Sequence, residues 1–250
     1  KSKKAKIFLF FVTCVTRFSM QVGGGLQNRC GHHTPSAVDA KVTSIGLGTA
    51  ALGSVYGDVH DSIDLVHTAY SKGITYFDTA PFYGAGASEE VLGAAISNLH
   101  RDSVFVATKF GRQAPVNEHS ASGSGGTTNY SRNAIELSVA QSLHRLQTEY
   151  IDMFQIHDAE HCDTKTFQYD VLPTIQDLLR VGKIRAFGIT GYPLQMFPHT
   201  LQLARECGVH VDTITTYGQC TIFNRNAIQE EFLSEIRPYD VAIINASPLG

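Results

Sequence analysis

Seven short apolar runs recur between residues 44 and 246, separated by helix-length amphipathic stretches, and this alternation leaves few architectures open. The runs at 44–48, 75–78, 104–109, 151–157, 186–189, 213–217 and 241–246 read as buried strands, being short and rich in β-branched and aromatic residues. Between the first two, residues 62–72 carry Ile63, Val66, His67 and Tyr70 at the i, i+3, i+4, i+7 spacing of one helical face. Asp61 or Ser62 is placed to cap that helix and Gly73 to close it. Segments 89–99, 133–146, 170–181, 195–207 and 227–236 read as the other helices. Strict alternation of this kind implies parallel β/α units.

Two folds satisfy that rhythm, a doubly wound sheet and a (β/α)8 TIM barrel, and the strand ends favour the barrel. Asp78, Lys109 and His157 each close an apolar run. In a barrel the C-terminal strand ends converge on one mouth, where chemistry is done. A doubly wound dinucleotide fold would carry G-x-G-x-x-G after its first strand, and "GLGTAALG" does not fit that spacing. The expected organisation is an N-terminal extension over residues 1–41, flexible or outside the native fold, followed by a barrel over residues 42–250 that is truncated after its seventh strand. Seven strands leave unpaired edges, which is costly. A piece of a longer protein, with an eighth strand and further helices, is therefore expected. Gly111 to Tyr130, "GRQAPVNEHSASGSGGTTNY", is long, polar and Gly/Ser-rich, the composition of a mobile cover over the mouth.

Composition narrows the function classes. Hydrophobic residues make up 43% of 250 residues, enough for a substantial core. A formal net charge of −3 with scattered Lys and Arg gives no electrostatic case for nucleic acid. Five cysteines without a C-x-x-C spacing are the usage of a reducing compartment, so a cytoplasmic location is expected. The opening "KSKKAKIFLFFVTCVTRF" has a basic cluster and an apolar run from Ile7 to Val15, the outline of a secretory signal. It is shorter than the roughly 20 residues that span a bilayer, so no membrane anchoring is expected.

His157-Asp158-Ala159-Glu160-His161 matches the H-x-x-E-H pattern of a zinc peptidase. That pattern needs both histidines on one helical face. The residues before His157 are strand-like and no helix-length run begins before Asp170, so His161 belongs to a loop and the stretch is a strand end presenting His157. "CGHH" at Cys30–His33 lies in a Gly-rich segment and reads as solvated, and no metal site is expected.

Singly, Asp78, Lys109 and His157 each have a bland reading: an N-cap, a solvated lysine, a satisfied histidine. Jointly they fit one mechanism. An ammonium at a poorly hydrated mouth needs a carboxylate, which Asp78 supplies. A lysine cation beside the hydroxyl of Tyr83, five residues after Asp78, favours the phenolate and is expected to lower a pKa that starts near ~10. Tyr83 is then a proton donor or acceptor, and a nearby histidine orients a hydroxyl or carbonyl.

"DTAPFYG", "VATKFG", "DMFQIHD", "GKIRAFGITG" and the closing "ASPLG" resemble the aldo-keto reductase superfamily, in its order and at comparable strand positions, over about Val42 to Gly250. "LGSVYGDV", the His-Asp pair after the fourth strand and "GITGYPLQMF" are similar to the L-galactose dehydrogenase and aldose 1-dehydrogenase branch. The resemblance implies a (β/α)8 barrel that binds NAD or NADP without a Rossmann fold. It implies a tetrad of Asp78, Tyr83, Lys109 and His157, with Tyr83 as general acid/base, Lys109 depressing its pKa, Asp78 holding Lys109 and His157 orienting a sugar. It further implies nicotinamide contacts at Gly48, Thr49, Thr190 and Gly191, and pyrophosphate contacts at Ser247 and Leu249. The implied reaction oxidises a cyclic aldose at C1 to a lactone. The alternatives are an NADPH-dependent aldehyde or ketone reductase and a non-catalytic nucleotide-binding subunit. Departures are Thr215, where the family usually has Gln, and Ala246, where it often has Tyr.

Overall fold

Strands buried on both faces have only one another for hydrogen-bonding partners, and here they close into a barrel. The computed structural model describes residues 11–16, 42–53, 58–114 and 126–248. Seven parallel strands run β2 (Ile45–Gly48), β3 (Tyr76–Asp78), β4 (Phe105–Phe110), β7 (Ile151–Ile156), β8 (Ile184–Gly191), β9 (Thr213–Tyr217) and β10 (Ala242–Ala246) around the wall. A two-stranded ribbon, β5 (Arg112–Gln113) with β6 (Thr127–Thr128), stands outside it. The expected seam between the first and seventh parallel strands is filled by β1 (Phe11–Thr16), antiparallel to both neighbours: Phe11 pairs with Gly48, and Cys14 pairs with both Ile45 and Asn245. Part of the extension expected outside the barrel thus supplies its eighth strand. The physical reason is that two open edges present rows of unpaired N–H and C=O groups to which an extended segment can bond.

The helices lie between successive strands: α1 (Val59–Ser71), α2 (Ala87–Ile96), α3 (Arg132–Arg145), the single turn α4 (Thr164–Thr166), α5 (Leu172–Arg180), α6 (Met196–Glu206) and α7 (Glu230–Ile236). Helix α1 begins a turn earlier than its apolar spacing suggested, because Asp58 accepts from the His60 amide and serves as the cap. Ahead of α5 the chain is already wound, as a π-turn over Phe167–Val171. Pro173, in the first turn of α5, lacks an N–H and so cannot hold the preceding turn in regular i→i−4 bonding.

Two apolar layers support the wall. Outside it, Phe77, Val106, Ile135, Phe154, Ile156, Phe187, Ile189, Phe197 and their neighbours are almost fully buried between strands and helices. Each such side chain contributes roughly 1.5–3 kcal/mol on leaving water. Inside it, Tyr76, Phe105, Ala107, Met153, Ala186 and Ile244 plug the lumen. The Tyr76 and Phe105 rings stack at 5.6 Å, and Gly46 lets Tyr76 in, since a Cβ there would come 2.3 Å from its ring. Above this plug the strands carry polar residues toward one end of the barrel.

Candidate active site

Strand register decides which side chains meet. Asp78 pairs with Ala107, Lys109 with Gln155, Gln155 with Gly188 and Thr190 with Thr215, so one layer near the C-terminal strand ends collects an acid, a base and three amide or hydroxyl groups. Lys109 is buried at 3% exposure and donates from Nζ to Asp78 Oδ1 and, at 2.8 Å, to the Thr79 carbonyl. The other carboxylate oxygen, Asp78 Oδ2, accepts from the Tyr76 hydroxyl at 3.2 Å and from Gln155 Nε2 at 2.9 Å. Thr215 Oγ1 in turn donates to Gln155 Oε1 at 2.7 Å.

Tyr83 reaches this cluster from a turn rather than a strand. It opens a 3-10 turn, Tyr83–Gly86, in which Gly84, Ala85 and Gly86 all take left-handed φ values of 59°, 53° and 98°. The two glycines make that reversal affordable where most side chains strain. The Lys109 ammonium lies 4.9 Å from the centre of the half-buried Tyr83 ring. The His157 ring stands edge-on to the Tyr83 ring at 6.0 Å and 85°. Phe82 meets the same imidazole in the same manner.

His157 follows β7, its amide bonded to the Phe110 carbonyl at 2.9 Å. Its Nδ1 is buried without a hydrogen-bond partner. A buried polar atom without a partner costs about 1–3 kcal/mol, which a bound hydroxyl can recover. The backbone around it is pinned: Asp158 has φ 51°, its carboxylate meets Arg112 at 2.7 Å, and the Tyr130 hydroxyl lies 2.8 and 2.9 Å from the carbonyls of His157 and Asp158. His161, the other histidine of the peptidase-like string, sits in a separate 3-10 turn, Ala159–His161.

The electrostatics are set by burial and one ion pair. Burial works against a charge on Lys109, but Asp78 and Tyr83 outweigh it and raise its pKa, so the ammonium persists. Burial, then the cations of Lys109 and Arg112, hold His157 well below the ordinary imidazole value, so it is neutral at pH 7. Tyr83 corrects the expectation from sequence: burial raises its pKa by more than the neighbouring Lys109 lowers it, and the net direction is up. Lys109 acts in the expected sense, but in a setting drier than a reading of residue types could supply.

The residues at which the resemblance implied cofactor contacts lie in different settings. Gly48 ends β2 beside Asp78. The Thr49 side chain is already engaged, donating to the Asp78 carbonyl at 2.9 Å and lying 2.8 Å from Ser88 Oγ, so it braces the strand ends. Thr190 Oγ1 accepts from the Asp158 amide at 3.1 Å, leaving its own proton free to donate. Gly191 leaves space into which Glu160 and Met196 reach; Glu160 Oε2 would be 2.8 Å from a Cβ there, and it is buried without a partner. Ser247 follows β10, buried and at φ 56°. Leu249 lies outside the described residues. Reading the sequence missed Gln155 and Tyr76; the only available signal was a polar residue inside the apolar run "DMFQI".

A closed β/α barrel with a lysine–carboxylate pair under a phenol at its mouth is a defined class of scaffold, and the comparisons name the family. The aldo/keto reductase family profile matches residues 44–250, and the chain belongs to that family. It is 34% identical over 214 residues to L-galactose dehydrogenase of Arabidopsis thaliana, covering 84% of this chain and 62% of that protein. It is 36% identical over 202 residues to D-arabinose 1-dehydrogenase of Saccharomyces cerevisiae, covering 76% and 56%. Among solved structures, an aldo-keto reductase from Bacillus halodurans in its holo form superposes with a TM-score of 0.66 at 25% identity, over 80% of this chain and 60% of that one. Glycerol dehydrogenase from Gluconobacter oxydans gives 0.65 at 29% identity, over 79% and 57%. The chain thus spans about 60% of the length of the curated relatives it matches.

Proposed function

We propose that the protein is an NAD- or NADP-dependent dehydrogenase that oxidises a cyclic aldose at C1 to its lactone, with Asp78, Tyr83, Lys109 and His157 as the working groups. The observation that carries this reading is the buried Lys109–Asp78 pair set beneath the Tyr83 ring, with the unpartnered Nδ1 of His157 beside it. The names of the two sugar dehydrogenases among the relatives support the substrate class. Among the described residues no helix is long and apolar enough to cross a membrane.

The strand ends fit a carboxamide-bearing cofactor. Thr190 has a hydroxyl proton to give to a carbonyl oxygen, and Glu160 Oε2 is a waiting acceptor for an amide N–H beside Gly191. Gly48 and Thr49 would lie against it through backbone, Ser247 and Leu249 nearer the phosphates. When bound, the nicotinamide supplies the hydride acceptor that side chains lack. The chain's own groups handle the proton. Tyr83 as phenolate takes the proton of the anomeric hydroxyl, Lys109 stabilises that phenolate, and neutral His157 holds a neighbouring hydroxyl through Nδ1. Asp78 keeps the ammonium in place.

Initial rates with L-galactose, L-fucose or D-arabinose plus NAD+, set against simple aldehydes plus NADPH, test the assignment. Oxidation of an aldose that vanishes in Tyr83→Phe while nucleotide binding persists is the expected result. Preference for simple aldehydes, or a Tyr83→Phe variant that still turns over, overturns it. Because Tyr83 is held above its ordinary value, oxidation, which needs the phenolate, should rise with pH well beyond 8, whereas the reverse reduction should stay level until the phenol ionises.

A further inference from the structure

We infer that Gln155 and Thr215 are positioning residues, a two-link relay that aims the Asp78 carboxylate and through it sets how strongly Lys109 acts on the Tyr83 phenol. The inference rests on the reading of Tyr83 as the proton-transfer group.

The orientation of the relay follows from donor and acceptor counting. An ionised carboxylate accepts only, so the Gln155 amide must turn its NH2 to Asp78 Oδ2 and its oxygen to Thr215, which must then donate. No flipped arrangement satisfies both contacts. The three groups come from different strands, β9, β7 and β3, and all are buried, with Gln155 at 0% and Thr215 and Asp78 both at 7% exposure. Asp78 meets Lys109 through Oδ1 and is anchored through Oδ2 by Gln155 and the Tyr76 hydroxyl, so the anchors decide the plane of the carboxylate and, together with the Thr79 carbonyl that also accepts from Nζ, where the ammonium sits. The barrel makes room for this: a Cβ on Gly188 would lie 3.0 Å from Gln155 Cγ and 2.5 Å from Thr213 Oγ1. A polar residue placed in a dry wall is costly unless fully satisfied, and both ends of the Gln155 amide are satisfied here.

The groups acting on Tyr83 are Lys109, Asp78 and Asp158; the phenols of Tyr76 and Tyr192 are also within electrostatic reach, and the His157 ring touches it. None of these apart from Asp78 bonds to the relay. Loosening the relay lets the carboxylate turn and the ammonium drift, and the pull of Lys109 on the phenol weakens.

The test uses Gln155→Leu, Thr215→Val and the hydroxyl-retaining Thr215→Ser. The chain has no Trp and 10 Tyr, so absorbance at the phenolate band reports tyrosines alone, and subtracting Tyr83→Phe isolates Tyr83. The expected result is a Tyr83 transition moved upward by roughly one unit in Gln155→Leu and Thr215→Val, with Thr215→Ser like wild type. The pH profile of aldose oxidation should move with it, and kcat near neutral pH should fall about tenfold, the size of a lost hydrogen bond to a charged group. A folded Thr215→Val, near-isosteric and unable to donate, whose titration and pH profile match wild type overturns the relay, even if Gln155→Leu fails to fold. A wild-type protein that oxidises no aldose overturns the proposed function instead, while the phenol titration still decides the relay.

Discussion

Lys109→Met separates the structural from the chemical work of the buried ion pair. The lysine side chain is 4% exposed and that of Asp78 10%, so water cannot replace either partner well. Removing one member of a buried pair costs about 3–5 kcal/mol, chiefly because the other charge is left behind. Asp78 is not abandoned, since Tyr76 and Gln155 still donate to it, which puts the loss toward the lower end, about 3 kcal/mol. For a chain of this size that is a fall in Tm of roughly 6–12 °C, at about 2–4 °C per kcal/mol. The double variant Asp78→Asn/Lys109→Met removes both charges while leaving Tyr76 and Gln155 an acceptor, and most of the stability should return. Activity should not return in either variant: losing the cation that, among the described residues, favours the Tyr83 phenolate should cost on the order of 10²–10⁴ in kcat. Calorimetry and initial rates together make the comparison. A single variant melting with wild type, or a double variant no more stable than the single, refutes the energetic argument.

Two further outcomes follow from other parts of the fold. Arg101 donates to Thr148 Oγ1 at 2.8 Å and to the carbonyls of Val104 and Tyr150, and it holds Asp152 at 2.6 Å. Arg101→Met should lose roughly 2–4 kcal/mol in urea unfolding with kcat unchanged; Asp152 keeps the Val106 amide and Arg185 at 3.6 Å but loses its closest cation, and because burial already raises it, the deficit should be smaller at pH 5, where it can take a proton, than at pH 8. Gly93 lies inside α2, where alanine ordinarily gains up to about 1 kcal/mol, but a Cβ there would meet the Arg145 carbonyl oxygen at 2.3 Å and Leu146 backbone at 2.9 Å. Gly93→Ala should therefore destabilise by about 1–3 kcal/mol in the same assay.

The parts of this molecule that can be read from its sequence are those governed by local periodicity. Seven strands and their helices follow from where apolar residues recur, and Asp78, Lys109 and His157 stand out because a charge or imidazole interrupts an apolar run at its end. The eighth barrel position could not be read this way. An apolar run behind a basic cluster looks the same whether it is a signal segment or a strand, and β1 is defined only by the register of Ile45–Gly48 and of β10, more than 200 residues away in sequence. The direction of the Tyr83 shift was hidden for a different reason. A lysine nearby can be inferred from strand ends, but the extent of desolvation around the phenol depends on Phe82, His157 and the wall together. Gln155 was hidden because its neighbours Phe154 and Ile156 point to the outer layer, while the residue itself faces the lumen layer above Met153.

Lys109 acts on the protonation of each of its titratable neighbours at the mouth. Lys109 stays charged because Asp78 compensates it; the same charge, with Arg112, helps keep His157 neutral, and it alone among the close neighbours draws Tyr83 toward ionisation. The three effects are coupled through position. An ammonium displaced from Tyr83 would leave the phenol harder to ionise, while burial would still hold the imidazole neutral. Neutral Gln155 and Thr215 suit the place behind Asp78 for that reason: they fix geometry without adding a charge to a balance that has one cation and one anion at its centre. A charged residue in their place would have altered all three protonation states together.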